Sequence, residues 1–205
     1  MREWIETNGL GGYASLTQKE IAQRKFHGLL IASLHPPVDR WVFVSELHDE
    51  LAIDEQSCLL QGAATFSFNL FPTWKYTTPF GIITKTVFMP HEQNTTIIKY
   101  DISIKKEATL HHHLYVSSRH FYDVYDHPHR FTYDYQIDQD SVVFNPHNVD
   151  ATVKMMLSQS TFEPVEQWQE RSYPIDCNRN DSCYDQVLYL GTYKKQVSHN
   201  QSYYL

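Results

Sequence analysis

Ile98-Lys99-Tyr100-Asp101-Ile102-Ser103-Ile104 places an apolar residue at every second position. Such spacing presents one face to a core and the other to solvent, as a pleated strand does and a helix does not. The alternation returns in Thr65-Phe66-Ser67-Phe68-Asn69-Leu70 and in Tyr133-Asp134-Tyr135-Gln136-Ile137-Asp138. In a fourth segment Ala151, Val153, Met155 and Leu157 are expected on one side, with Thr152 and Lys154 on the other. Further strands are expected over 27–33, 41–47, 81–89, 109–117 and 187–194. No stretch keeps a 3.6-residue spacing over a helical length. Thr17 to Arg24 reads as one or two helical turns or, equally, as a loop.

Turn chemistry separates these segments at His35-Pro36-Pro37, Phe71-Pro72-Thr73, Thr78-Pro79-Phe80-Gly81, Met89-Pro90-His91 and Asn145-Pro146-His147-Asn148. Many short strands between such breaks predict an all-β fold, a large antiparallel β-sandwich. The composition agrees: fourteen Tyr, eleven Phe and four Trp, against seven Gly, suit a pleated and half-buried surface. No composition shift, low-complexity tract or internal repeat marks a linker, so one domain over 1–205 is expected.

The 17 Lys+Arg against 24 Asp+Glu give a net charge of −7, which argues against a nucleic-acid partner and against an anionic membrane surface. The longest apolar run, Gly28 to Ala32, is far shorter than a bilayer requires, and MREWIETNGL lacks a signal-peptide core. A soluble, cytoplasmic protein is expected. Three cysteines stand at 58, 177 and 183 in no zinc-like spacing; Cys177 and Cys183 bracket a polar loop and can meet, but free thiols are the expectation in a reducing compartment.

Twelve histidines invite a metal reading. On a strand, His111 and His113 point one way and His112 the other, so at most two imidazoles of His111-His112-His113 converge and the third is a core residue. His127-Pro128-His129, near Asp123 and Asp126, offers a second pair. Neither supplies ligands from several strands by sequence alone, so no metal and no cofactor is expected.

Four of the seven glycines fall within the first 28 residues, three of them in Asn8-Gly9-Leu10-Gly11-Gly12-Tyr13. The segment has no Gly-Lys-Ser/Thr and is no phosphate loop. It reads as a tight turn, or as a loop lying against a ligand or another domain. Arg24 and His27 stand just before an apolar strand, where polar heads can bond sugar hydroxyls, a partner domain or loop carbonyls. Trp74 and Tyr76 share one strand face and can stack on sugar rings or pack inward. Arg119 and His120, followed by Phe121 and Tyr122, combine a basic head with rings, as polyol sites do, or form a buried pair at a strand end.

These motifs together carry a resemblance. Glu3-Trp4, Thr7-Asn8-Gly9-Leu10-Gly11-Gly12-Tyr13-Ala14-Ser15, Arg24-Lys25-Phe26-His27-Gly28-Leu29-Leu30-Ile31-Ala32, Pro36-Pro37, Arg40 and Ser45-Glu46-Leu47 follow one another in order. Pro72-Thr73-Trp74-Lys75-Tyr76, Ile83-Thr84-Lys85-Thr86-Val87-Phe88-Met89, Asn94-Thr95-Thr96 and Ser118-Arg119-His120-Phe121 continue the series. The chain resembles the N-terminal domain of the bacterial and archaeal type of glycogen debranching enzyme over nearly its whole length. The resemblance implies a supersandwich of the galactose-mutarotase kind, preceding a helical (α/α)6 barrel with amylo-α-1,6-glucosidase activity. Lys25 stands where the family usually shows a second Arg; it keeps the charge but lacks the bidentate fork.

Glycosidic cleavage normally takes two carboxylates flanking the bond, and the resemblance puts them in the barrel, which is expected to be absent here. No catalytic residue is therefore carried over. The reading is a non-catalytic module, with no activity expected alone, whose partner is the barrel of a longer or separate chain. Asn8, Arg24, His27, Trp74, Tyr76, Arg119 and His120 are the candidate residues for α-glucan or interdomain contact, with Asn8, Arg24, His27 and Arg119 expected at one end of the sandwich. An uncovered docking face makes a homodimer plausible. Two rival readings stand beside it: a stand-alone aldose epimerase using a His and a carboxylate, and an interaction or structural domain without sugar affinity.

Overall fold

The computed structural model describes residues 2–61 and 64–205. Sixteen strands and one short helix are present among them. In chain order they are β1 (Glu3–Thr7), β2 (Tyr13–Thr17), β3 (Gly28–His35), β4 (Val38–Ile53), β5 (Gln56–Leu59), β6 (Ala64–Phe68), β7 (Pro72–Thr78) and β8 (Gly81–Phe88). Then come β9 (Ile97–Ile104), β10 (Ala108–His120), β11 (Tyr133–Ile137), β12 (Ser141–Pro146), β13 (Val153–Met156), β14 (Thr161–Ser172), α1 (Pro174–Cys177), β15 (Tyr184–Val197) and β16 (Gln201–Tyr204).

The large sheet runs β1-β2-β3-β4-β10-β15-β14, with β5 folded back on β4. A five-stranded sheet runs β16-β9-β8-β7-β6 and a three-stranded one β11-β12-β13. Every pairing between these strands is antiparallel. The all-β sandwich expected from the alternating segments is the observed fold.

Register decides which face of β4 and β10 is inside. Leu51 lies opposite Leu110, Asp49 opposite His112 and Leu47 opposite Leu114, and all six are buried. The intervening His48, Glu50, His111 and His113 lie on the other face and are only partly covered. From the smaller sheets, Ile83, Val87, Ile102, Tyr100, Val142, Phe144 and Val153 close over the inner face in one contiguous core. Burying such a side chain stabilises the fold by about 1.5–3 kcal/mol each. Register slips on β10 beside Tyr115, and between Pro164 and Gln167 on β14, mark bulges that sharpen the twist of the sheet.

The core also holds charge. Lys85 of β8 reaches across the sandwich to Asp49 at 2.8 Å and to Glu20. Asp49 also accepts from the Tyr100 hydroxyl at 2.9 Å and faces His112 Nδ1 at 2.6 Å. Burial raises the Asp49 carboxyl, but Lys85 and His112 more than offset it and hold it below the usual range. The Glu20 carboxyl is pushed up by burial. Asp49 is thus the principal partner of the Lys85 ammonium.

One reading left open is decided and one expectation changes. Residues 18–24 form a turn and a loop: Glu20 N closes a turn on Thr17 O, and the neighbouring groups are held by the Thr17, Glu46, His27 and Trp74 side chains rather than by a helical ladder. Cys177 and Cys183 are joined in a disulfide, leaving Cys58 as the free thiol. The turn of α1 brings the two sulfurs together: Tyr173 N donates to Cys183 O at 2.7 Å while Asp181 N donates to Asp176 O.

Candidate functional site

The loop between β2 and β3 is where most of the sequence motifs meet. Trp74 Nε1 donates to Gln18 O at 2.7 Å, and the Tyr76 hydroxyl bonds the Glu20 carboxylate. Glu46 Oε1 accepts from Ala22 N at 3.1 Å. His27 Nδ1 accepts from Gln23 N at 3.0 Å. Asp176 Oδ2 accepts from Lys25 N at 2.6 Å, and Lys25 Nζ reaches Asp181 at 2.8 Å. Arg119 Nη2 donates to Lys25 O at 2.8 Å, and the Tyr13 hydroxyl to Phe26 O at 2.8 Å. A segment without regular structure thus has its polar groups taken up by β2, β4, β7, β10, α1 and the turn after it, as buried backbone requires.

Ionisation states follow from this packing. Burial pulls the His27 imidazole down to about 4, against the pull of Glu3, so the ring is neutral and Nδ1 is free to accept. Burial pushes the Tyr13 phenol up to about 12, which keeps its proton on as donor. Burial disfavours the Arg119 charge, but Asp185 at 2.8 Å and Tyr173 raise its affinity for the proton.

The predicted site residues are therefore mostly internal. Asn8 is fully buried and donates to Gln93 O and Asn94 Oδ1, both at 2.9 Å, pinning the glycine turn to the segment before β9. Glycine is required there: Gly11 has φ +95°, and a Cβ on Gly12 would stand 2.7 Å from Asn8 Nδ2. Trp74 and Tyr76 face the interior at 1% and 2% exposure, and Trp74 packs edge-on against Trp4. They cannot stack on a sugar, because the inner face of β7 is closed by the sheet opposite. Arg119 and His27 are likewise buried. Arg24, His27 and Arg119 do come together around the loop, the first two sharing the Glu3 carboxylate at 2.9 and 3.7 Å. Asn8 is engaged elsewhere, with Asn94 and through it Ser33.

What the loop presents outward is a group of rings. Phe26 meets Phe121 and Tyr122 edge-on, with centroids 5.5 and 5.6 Å apart. His120 contacts Phe121, Tyr122 and Trp41, and the Arg40 guanidinium lies over Phe121 at 5.4 Å. Tyr122 is 59% exposed, and Phe26, Trp41, His120 and Phe121 are half-buried. Of these, His120 was singled out as a site residue from sequence; Phe26 and Trp41 were not, each being a single ring beside charged residues at the entrance of a strand.

The chain matches the family model described as glycogen debranching enzyme N terminal, over residues 2–204. It belongs to that family. Searches of the curated proteins and of the solved structures return no match. For a debranching-enzyme N-terminal domain these contacts give the motif residues a physical reason: Trp74, Tyr76, Arg119 and His27 hold the loop beside the ring patch, and Asn8 holds the glycine turn.

Two further features of the domain bear on chemistry. An apolar groove of about 760 Å³ opens between the smaller sheets, floored by Phe43, Leu47 and Leu114 and edged by Met156 and Tyr204; Asp150 is the acid on its wall, and no histidine lines it. His112 and Asp49 stand within hydrogen-bond reach, as an aldose epimerase would need, but both are fully buried against Lys85 with no room for a sugar. The buried carboxylates of Asp176 and Asp185 are each consumed by backbone N–H or guanidinium donors.

Proposed function

We propose that this chain is a non-catalytic module of a glycogen debranching enzyme, one domain over 1–205, that supports a helical glycosidase barrel and offers that enzyme a contact for α-glucan through Phe26, His120, Phe121 and Tyr122. It works in the cytoplasm, where glycogen is the substrate of the family, and needs no cofactor. The observation that carries the reading is the exposed ring patch beside Arg40, formed where the end of β10 meets Phe26 of the loop that Trp74, Tyr76, Arg119 and His27 immobilise. Rings present a flat apolar surface to the C–H faces of glucose, and an adjacent guanidinium donates to hydroxyls. A few such contacts must first offset the association cost, so the affinity of the module alone is weak. The apolar groove is the surface the barrel covers; left open, it favours pairing with a second copy.

The test is titration with maltoheptaose, followed by NMR of the aromatic and imidazole resonances. Millimolar ligand is expected to shift Tyr122, Phe121 and His120 and to leave Trp74 unmoved, and the shifts are expected to vanish in Tyr122→Ala. Binding that is absent, or that persists unchanged in this variant, returns the chain to a purely structural role.

A further inference from the structure

The outer face of the large sheet carries a cluster that none of the foregoing uses. Glu50 of β4 lies opposite His111 of β10 in register, and His113 follows two residues on, so all three side chains emerge on the same face. Glu50 Oε2 is 3.3 Å from His113 Nε2 and 3.8 Å from His111 Nδ1, and the ligand atoms of the three lie within 4.8 Å of one another. Metal–nitrogen and metal–oxygen bonds of about 2.0–2.1 Å set donor atoms about 3.3 Å apart around a tetrahedral ion; Glu50 and His113 already stand at that separation, and the other pairs must draw in from as far as 4.8 Å. The side chains are 23–27% exposed, which leaves a fourth position open to water.

The donors are also held from behind. His113 Nδ1 faces the hydroxyls of Tyr189 and Thr192, each at 2.9 Å, which fixes the ring with Nε2 toward Glu50. Such outer contacts are what orient ligands at metal centres. Against the ion stands Lys194, opposite His111 in register, but its ammonium is engaged by Glu163 at 2.6 Å. His48, opposite His113, is turned away onto Tyr115, with Nε2 3.2 Å from Glu46 but out of line for a hydrogen bond, and is no ligand.

We propose that Glu50, His111 and His113 bind a divalent transition-metal ion of the Zn²⁺ class, with three protein donors and one water, clasping β4 to β10. Two imidazoles and one carboxylate favour Zn²⁺ over the hard cations Mg²⁺ and Ca²⁺, which select oxygen.

The test is calorimetric titration of the intact chain with Zn²⁺, with Mg²⁺ as the counter-probe. One Zn²⁺ is expected to bind, and Mg²⁺ is not expected to compete. His111→Gln and His113→Gln are each expected to weaken Zn²⁺ at least about tenfold, while a His127→Gln/His129→Gln variant retains it. Should a variant fail to fold, imidazole NMR of the unmodified chain decides: Zn²⁺ must shift the His111 and His113 rings and leave buried His112 in place. Zn²⁺ held equally by the His111 and His113 variants, or shifts confined to His127 and His129, would overturn the assignment.

Discussion

Lys85 and Asp49 meet at 2.8 Å with side chains 1% and 0% exposed, so the two sheets of the sandwich are joined by a fully desolvated ion pair. Glu20 adds a second carboxylate to the same ammonium. Removing one partner leaves the others charged and without water. Lys85→Met is therefore expected to cost about 3–5 kcal/mol, because Asp49 loses its main counter-charge. Urea denaturation of the variant beside the parent measures this. A loss below 1 kcal/mol would mean that water reaches the network.

His27 gives a pH dependence of definite sign. Its folded-state value is held down to about 4 by burial, against an ordinary 6.5. Above 6.5 both folded and unfolded chains carry it neutral, and its contribution is fully present. As pH falls from 6.5 toward 4 the unfolded chain takes up a proton that the folded chain refuses, so stability is lost across that window and no further below it. The span corresponds to about 3 kcal/mol. His27→Asn places an amide oxygen where Nδ1 accepts from Gln23 N. Stability curves of parent and variant against pH are expected to converge as pH drops through this range; parallel curves would show that the ring titrates normally.

The strands that alternate were legible in the sequence: Ile98–Ile104 lies in β9, and Val153 and Met155 turn inward as their spacing requires. So was the split of His112 from its neighbours. The long β14 was not, because its exposed run Glu163 to Gln167 contains Pro164 and a bulge and lacks periodicity. The site was legible in position more than in role. Asn8, Arg24, His27 and Arg119 were expected together; the last three meet at one loop while Asn8 holds the segment before β9, and their outward-facing chemistry was not realised, because a sequence motif does not say whether a polar head finds solvent or a backbone carbonyl. The disulfide was open for a similar reason. Cys177 and Cys183 are six positions apart, and only the turn of α1 brings them into reach.

Tyr122 and Trp74 separate surface from scaffold. Tyr122 is 59% exposed, whereas Trp74 is 1% exposed and holds Gln18 O. Tyr122→Ala is expected to leave stability within about 0.5 kcal/mol while abolishing the maltoheptaose shifts. Trp74→Ala is expected to cost about 3–5 kcal/mol, through the cavity it opens and the release of the loop. Thermal melts of the two variants run together distinguish them, and a destabilised Tyr122→Ala would move that ring from the binding patch to the framework.

The bond between Cys177 and Cys183 anchors the short turn whose Asp176 carboxylate accepts from Lys25 N at 2.6 Å. Closing so short a loop restricts the unfolded chain by about 2 kcal/mol in the chain-entropy view. Reduction is therefore expected to lower the melting temperature and to loosen the hold on Lys25, and with it the Arg119–Lys25 contact that supports the ring patch. Thiol titration of the denatured chain reads the state directly: one reactive thiol, Cys58, before reduction and three after it. Exchange of the Lys25 amide proton, bonded to Asp176, is expected to speed up on reduction, because the acceptor is the residue next to Cys177, at the foot of the released loop. An unchanged exchange rate in fully reduced protein would show that α1 and its hydrogen bonds hold the turn without the sulfur bridge.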